Sequence, residues 1–321
     1  RITISKIAKY DVHSILDYSV EGKDDEKDFE HSKNQILKTL DEASINDHIS
    51  YSVFKVTGVA RFELLEKVSG GVSLTNDEEE EFQKVRKRIL EMCQKANDIG
   101  IPILIDAEES WIQNAIDRLV EEMMMKFNKE KAVVFNTFQL YRADRLEFLK
   151  TSVKHAKQSG YILGVKLVRG AYLEKERNRA KKMGYVSPIH INKELTDESF
   201  DNALRYCIEH IDQVSICCGS HNERSSALLM TLMKDHGIAT DDDRIFFAQL
   251  LGMSDHISFN LSKFNYNVAK YVPFGPVYDV TPYLIRRTEE NTSIAGQTNR
   301  ELELIKKETQ RRSVAGSTNA E

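Results

Sequence analysis

Short apolar runs alternate with longer polar segments of helical period along this chain, and the alternation recurs eight times. The apolar runs predict strands at Ser14–Val20, Tyr51–Val56, Ile101–Asp106, Ala132–Phe138, Ile162–Val168, Val214–Cys218, Arg244–Gln249 and Val268–Val272. Most are nearly unbroken Val, Ile, Leu and Phe, as parallel strands covered on both faces require. Helical segments follow at Glu26–Ala43, Asp77–Ile99, Trp111–Phe127, Asp144–Gln158, Glu198–Ile211, Asn222–Asp235, Asp255–Phe264 and Pro282–Asn291. Eight strands with eight crossovers fit an α/β fold closed into a distorted (βα)8 TIM-type barrel better than an open sheet. Helix-start chemistry supports the phasing: Thr75-x-x-Glu78 and Ser110-x-x-Gln113 read as capping boxes, and Thr281-Pro282 sets an N-cap before a proline at the first helical position.

Length agrees with that fold, since 321 residues suit one barrel of ~250 residues plus insertions. The expected organisation is a single barrel domain over residues 1–309, with 310–321 as a small, polar, frayed or appended tail. A hydrophobic fraction of 41% with five prolines describes a helix-rich chain able to bury a core. The net charge of −5 removes the positive footprint of a nucleic-acid binder. Cys93, Cys207, Cys217 and Cys218 show no C-x-x-C spacing, which favours a reducing compartment over a disulfide framework. No run reaches the ~18 apolar residues of a membrane span, and a chain opening on Arg1 is expected to have lost any targeting segment. The acidic run Asp77–Glu81 opens a helix, where carboxylates suit the positive dipole end, and Met123–Met125 reads as core filler.

Chemistry in such a barrel gathers at the C-terminal strand ends. Here these ends carry Lys55; Asp106 with Glu108 and Glu109; Asn136 and Gln139; Lys166 and Arg169 before Gly170-Ala171-Tyr172; Ser220-His221-Asn222; Gln249; and Lys270-Tyr271. Any one of them is more simply a solvated or capping residue, but together they ring one mouth and can hold a large polar ligand. After the eighth strand, Tyr283, Arg286, Arg287 and Glu290 stand at i, i+3, i+4 and i+7 and share one helical face. Adjacent guanidiniums above a barrel mouth form a fork suited to a carboxylate. No G-x-G-x-x-G follows a strand, so a dinucleotide would be held by the mouth itself. The nine histidines lack H-x-x-x-H spacing, so no metal site is expected. A phosphate site at KLVRGAYL is a better rival, but it leaves the double-arginine helix without a role.

The segments FKVTG (Phe54–Gly58), ILIDAEESW (Ile103–Trp111), FNTFQLY (Phe135–Tyr141), KLVRGAYLEKER (Lys166–Arg177), SHNE (Ser220–Glu223), QLLGMSD (Gln249–Asp255), KYVPFGP (Lys270–Pro276) and YLIRRTEEN (Tyr283–Asn291) resemble proline dehydrogenase, in order and over nearly the whole chain. The resemblance implies a flavoenzyme that oxidises L-proline to Δ1-pyrroline-5-carboxylate and passes electrons from non-covalent FAD to a membrane quinone. It implies substrate contacts at Lys55, Asp106, Leu250, Tyr271, Tyr283, Arg286, Arg287 and Glu290. Flavin contacts would fall on Asn136 or Gln139, Lys166, Arg169, Gly170, Ala171, Tyr172, Thr196, His221 and Asn222. The bacterial bifunctional relatives commonly carry arginine at the Lys166 position, so lysine here matches the eukaryotic-type branch.

On this view Arg286 and Arg287 anchor the carboxylate, Tyr271 and Leu250 pack the ring, and Lys166 or Arg169 favours the reduced, anionic flavin by charge. Asp106 is a candidate acceptor of the amine proton, or else an ion-pair partner that orients Lys55 or Arg287. Two alternatives remain, a hydroxyproline dehydrogenase of the same family and an inactive barrel serving as a binding module. Tyr271, bulkier than the matching residue of the hydroxyproline branch, speaks for proline. Pyrroline-5-carboxylate dehydrogenase is the expected pathway partner. The expected location is the bacterial cytoplasm, peripheral to the inner membrane, with the mitochondrial inner membrane or matrix as the alternative.

Overall fold

The computed structural model describes residues 2–278, 280–281, 285, 303 and 305–312. Eight parallel strands close in sequence order, with the first hydrogen-bonded to the last. They are β1 (His13–Tyr18), β2 (Ile49–Lys55), β3 (Ile103–Asp106), β4 (Val134–Gln139), β5 (Leu163–Val168), β6 (Val214–Gly219), β7 (Ile245–Leu250) and β8 (Val268–Phe274). Each overlaps its sequence-predicted run, and the boundaries move by a few residues.

Seven expected helices are present as α2 (Glu26–Ala43), α4 (Asn76–Ile99), α5 (Ser110–Phe127), α6 (Arg145–Ser159), α8 (Lys193–Glu209), α9 (Glu223–Asp235) and α10 (Asp255–Lys263). Four elements were not anticipated: α1 (Ile2–Ala8), a 3-10 turn at Val56–Gly58, α3 (Phe62–Ser69) and α7 (Leu173–Met183). All are short, and α7 buries only Glu176 and Ala180, so it carries no apolar period to read.

Residues Arg1–Gly275 make one compact unit and Pro276–Glu321 a second. In the second, Thr281 is itself helical and its hydroxyl donates to the Val277 carbonyl at 2.6 Å, so it does not act as the expected N-cap. Of the helix expected at Pro282–Asn291, only Ile285 is described, and it is helical. Residues 310–312, assigned from sequence to a frayed tail, are helical too, with Arg311 and Arg312 paired to Glu308 at 2.7 and 2.8 Å.

Of the other two helix starts, Thr75 forms its capping box on α4. Ser110 does not. Its amide and hydroxyl both donate to Glu176 of α7 at 2.6 Å, and the Gln113 carbonyl oxygen accepts from the Glu108 amide at 2.8 Å. A fully buried carboxylate reaching across from α7 outcompetes the local cap.

Strand residues alternate between two cores. Ile15, Tyr51, Val53, Leu104, Phe135, Cys217, Ala248, Ala269 and Tyr271 fill the barrel interior, while Phe54, Ile103, Ile105, Val134, Phe138, Val165 and Cys218 pack outward against the helices. This phase decides where each strand-end polar side chain points. Lys55, Asp106, Gln139 and Lys166 continue the inner series, whereas Asn136 and Lys270 belong to the outer one.

Asn136 donates to Asp117 Oδ1 at 3.0 Å, Gln113 donates to the same oxygen at 2.9 Å, and Arg145 reaches Asp117 Oδ2 at 2.6 Å. This buried network ties α5, α6 and β4 together and, through Gln113, holds the loop that carries Glu108.

Inside the barrel, Gly164 makes room for Phe135. A Cβ there would lie 2.3 Å from the Val134 carbonyl oxygen and 2.8 Å from the Phe135 ring. Gly164→Ala is therefore expected to lower stability by about 2–3 kcal/mol through overpacking. Urea unfolding checks this as a lower midpoint at an unchanged slope; an unchanged midpoint would show that the inner layer has slack.

Candidate active site

Three interior side chains meet on one carboxylate. The register places Lys55 beside Asp106, and β5 brings Lys166 from the other side. Asp106 Oδ2 accepts from Lys55 Nζ and Oδ1 from Lys166 Nζ, each at 2.5 Å. All three residues are buried. The Lys166 ammonium also lies 4.6 Å from the centre of the Tyr271 ring, and Tyr271 stands opposite Leu250 in register.

Burial opposes the charge on Asp106, but the two ammoniums outweigh it and hold the carboxyl well below the usual carboxylate range. Burial likewise opposes the charge on Lys55, and the attraction of Asp106 prevails, raising its pKa well above the ordinary lysine value. With both oxygens committed to cations, Asp106 is built to orient the lysines and is a poor proton acceptor. Two buried ammoniums against one carboxylate leave a surplus positive charge that an anionic group can compensate.

Arg169 does not join this cluster. Its Nε donates to Asp197 at 2.6 Å, its two terminal nitrogens to Ser220 and Ser225 at 2.9 and 3.0 Å, and its guanidinium lies 4.4 Å from the Phe200 ring centre. Lys166 and Arg169, alternatives from the sequence for the charge beside the flavin, thus diverge, because three residues at a strand end send them to opposite sides. Arg169 lines a cavity of about 380 Å³ with Glu194, Asp197, Asp201, Asn222 and Ser225. Asn222 caps α9, its side-chain oxygen accepting from the Arg224 and Ser225 amides at 2.9 and 3.2 Å. The Thr196 hydroxyl bonds back to the Asn192 carbonyl at 3.4 Å, within α8. His221 Nδ1 lies 3.0 Å from the Ser254 hydroxyl.

Between the cluster and the cavity runs the Gly170-Ala171-Tyr172 turn. Gly170 has φ +135°, and a Cβ there would fall 2.5 Å from the Tyr141 ring, so only glycine fits. The Ala171 amide faces the Gln139 side-chain oxygen at 3.4 Å, and Gln139 Nε2 donates to the Glu108 carbonyl at 2.7 Å. Of the two amides the sequence left open, Gln139 therefore faces the mouth, and Asn136 is turned to the helix layer by Asp117. Tyr172 is buried, and its phenol is pushed well above the ordinary value, chiefly by burial.

Sequence reasoning gave no role to Thr57 or Asp17 and placed Glu108 only as one of the strand-end residues ringing the mouth. Thr57, in the 3-10 turn after β2, donates its amide and hydroxyl to Glu108 at 3.0 and 2.5 Å. Asp17 is an interior carboxyl on β1, hidden within a run read as apolar. The signal that could have found it is its position two residues past Ile15, on the inner face. Tyr283, Arg286, Arg287 and Glu290 lie outside the described residues. Among the described residues no group of His, Cys, Asp and Glu is arranged to hold a metal, and no helix is long and apolar enough to cross a membrane.

Burial and the neighbouring Glu109 charge push the Glu108 carboxyl up to about 8. The folded chain then keeps a proton that the unfolded chain releases at an ordinary carboxyl pKa, so stability falls as pH rises from the mid-4 range through about 8. Glu108→Gln, neutral throughout, is expected to remove roughly 3–5 kcal/mol of that decline. Unfolding free energies from pH 5 to 9 check it; parallel curves for the two proteins would assign the proton elsewhere.

Comparison with known proteins agrees with this geometry. The family model for proline dehydrogenase matches residues 1–300. The human protein named Proline dehydrogenase 1, mitochondrial, is 42% identical over 245 residues, covering 75% of this chain and 41% of that protein. Its namesake in Caenorhabditis elegans is 36% identical over 282 residues, 86% of this chain and 45% of that protein. The chain thus spans less than half the length of these two relatives. It covers more of the carbapenem antibiotics biosynthesis protein CarD of Pectobacterium carotovorum subsp. carotovorum, at 32% identity over 98% of this chain and 81% of that protein. In three dimensions, proline utilization A (PutA) from Bdellovibrio bacteriovorus, crystallised after inactivation by N-propargylglycine, superposes with a TM-score of 0.80. At 21% identity over 91% of this chain and 31% of that one, this match establishes the shared barrel. Fold, motif order and family match converge: the chain belongs to the proline dehydrogenase family.

Proposed function

We propose that this chain oxidises L-proline to Δ1-pyrroline-5-carboxylate by hydride transfer to non-covalent FAD, with the electrons passing on to a membrane quinone. The observation that carries the reading is the buried Lys55–Asp106–Lys166 group beside Tyr271 at the C-terminal strand ends, with one positive charge in surplus. The names of the human and nematode relatives point to the same reaction.

The residues present suit a flavin dinucleotide. Gln139 and Lys166 stand on the inner face at the strand ends, with polar atoms to meet a large ligand, and Arg169 and Asn222 line the cavity of about 380 Å³. Lys166, Gln139, Gly170, Ala171 and Tyr172 would hold the ring portion, with Arg169, His221 and Asn222 toward the remainder. When bound, FAD supplies the hydride acceptor that no side chain can provide.

The chain's own groups bind and orient. Within the barrel, Tyr271 and Leu250 confine the ring, and Lys55, fixed by Asp106, adds positive charge; by the family resemblance, Arg286 and Arg287 are the proposed contacts of the substrate carboxylate. Asp106 remains ionised throughout, so the amine proton leaves by another route. The product is consumed by a pyrroline-5-carboxylate dehydrogenase acting in sequence. The mitochondrial location gains support over the bacterial one from the names of the animal relatives.

The deciding experiment is an absorption spectrum, with a flavin band at roughly 450 nm, followed by proline-dependent reduction of a dye or soluble quinone. Flavin-loaded protein inert toward proline would refute the assignment. Arg286→Ala and Arg287→Ala are each expected to lower kcat/KM by roughly thirty- to several-thousand-fold while retaining flavin, and lysine to recover only part. Near-normal efficiency in both alanine variants would remove the carboxylate fork. Wild-type protein is expected to favour L-proline strongly over trans-4-hydroxy-L-proline, and Tyr271→Ser to narrow the gap; equal efficiency on both substrates would favour the hydroxyproline reading.

A further inference from the structure

One ionisable group of the interior remains without a task. Asp17 on β1 follows Ile15 on the inner face and stands opposite Val53 and Pro273 in register. Only 1% of it is exposed, and neither carboxyl oxygen has a hydrogen-bond partner. Ser19 donates to the Asp17 backbone carbonyl at 3.3 Å, and its hydroxyl exerts only a minor lowering effect on the carboxyl. The two nearby cations, Lys55 and Lys166, are already committed to Asp106 at 2.5 Å each.

A buried carboxylate with no donor on either oxygen loses its hydration and gains nothing in return, a cost of several kcal/mol that the neutral acid avoids. The groups acting on its carboxyl are Lys55 of β2, Asp106 of β3 and Lys166 of β5, with the neighbouring Ser19 hydroxyl. Burial and the Asp106 charge together prevail over the lysines and raise the Asp17 pKa.

We propose that Asp17 is a positioning residue that sets the charge of the candidate active site. As an uncharged acid it leaves Lys55, Lys166 and Asp106 with one surplus positive charge for an anionic ligand, and on ionising it cancels that surplus. This rests on reading the cluster as the ligand site. Asp17 acts through the lysines and needs no contact with the substrate. Its burial without partners is a stability cost at alkaline pH that a purely structural residue would have no reason to carry.

The test uses the flavin-loaded chain in a Glu108→Gln background, which removes another buried carboxyl with a raised pKa. The probe is cyclopentanecarboxylate, a ring carboxylate without a titratable amine. As pH is raised and Asp17 ionises, its affinity for the Asp17-bearing protein is expected to fall roughly tenfold, the scale of losing one nearby charge in a partly desolvated site. Asp17→Asn, isosteric and always neutral, should bind as well as the parent at low pH and keep that affinity as pH is raised.

Linkage gives a second readout. A carboxyl with a raised folded pKa loses stability as pH climbs past its unfolded value, so the stability gain of Asp17→Asn over the parent should be larger at pH 9 than at pH 5. Should the asparagine variant not fold, infrared spectra of the parent decide instead, through a protonated-acid carbonyl band that persists above the ordinary carboxyl range and is lost as pH is raised further. Equal alkaline decline in parent and variant, or no such band, overturns the proposal. Absence of probe binding at every pH, with flavin bound, overturns the cluster as ligand site and this role with it.

Discussion

A carboxylate that must serve two buried ammoniums is the constraint on which the rest of this barrel depends. Asp106 satisfies Lys55 and Lys166 at 2.5 Å on separate oxygens, and losing it would leave two cations facing each other in the interior. Such a loss typically costs about 3–5 kcal/mol. The arrangement demands that β2, β3 and β5 end at matching heights with their inward residues in phase. A closed barrel supplies this, because its registers are fixed around the whole circle.

The supports for that geometry lie on the other face of the strands. Asp117, taking Asn136, Gln113 and Arg145, locks β4 to two helices, while Glu176 of α7 holds the start of α5. These are buried charges as well, but each has its donors in place, unlike Asp17. These two outer carboxylates are satisfied and structural, whereas the inner Lys55–Asp106–Lys166 group is left with a charge imbalance. A site that binds an anion gains from that imbalance, because compensating it strengthens binding where water is excluded.

What the sequence disclosed follows from which signals survive without coordinates. Strands covered on both faces are runs of Val, Ile, Leu and Phe, so all eight were readable, as were Lys55, Asp106 and Lys166 at their ends. Helix α7 was not, since LEKERNRAKKM is almost wholly charged and its buried stripe contains a glutamate. The choice between Gln139 and Asn136 required the inside–outside phase, which depends on where the ladder begins. Arg169 looked like a companion of Lys166 by proximity in the chain, and only the turn after β5 sends it toward α8 and α9. Asp17 escaped because one acid in an apolar run resembles noise until its neighbours are known.

The same two-residue alternation has a consequence for thiol chemistry. Cys217 and Cys218 are adjacent in β6, yet one faces the barrel interior and the other the helix layer, so the strand itself keeps them from bonding to each other. Burial pushes both thiols up to about 12, leaving almost no thiolate at neutral pH. With Cys93 and Cys207 buried as well, the barrel offers stray oxidants no reactive thiol, a useful insulation for a chain whose proposed work is to pass electrons.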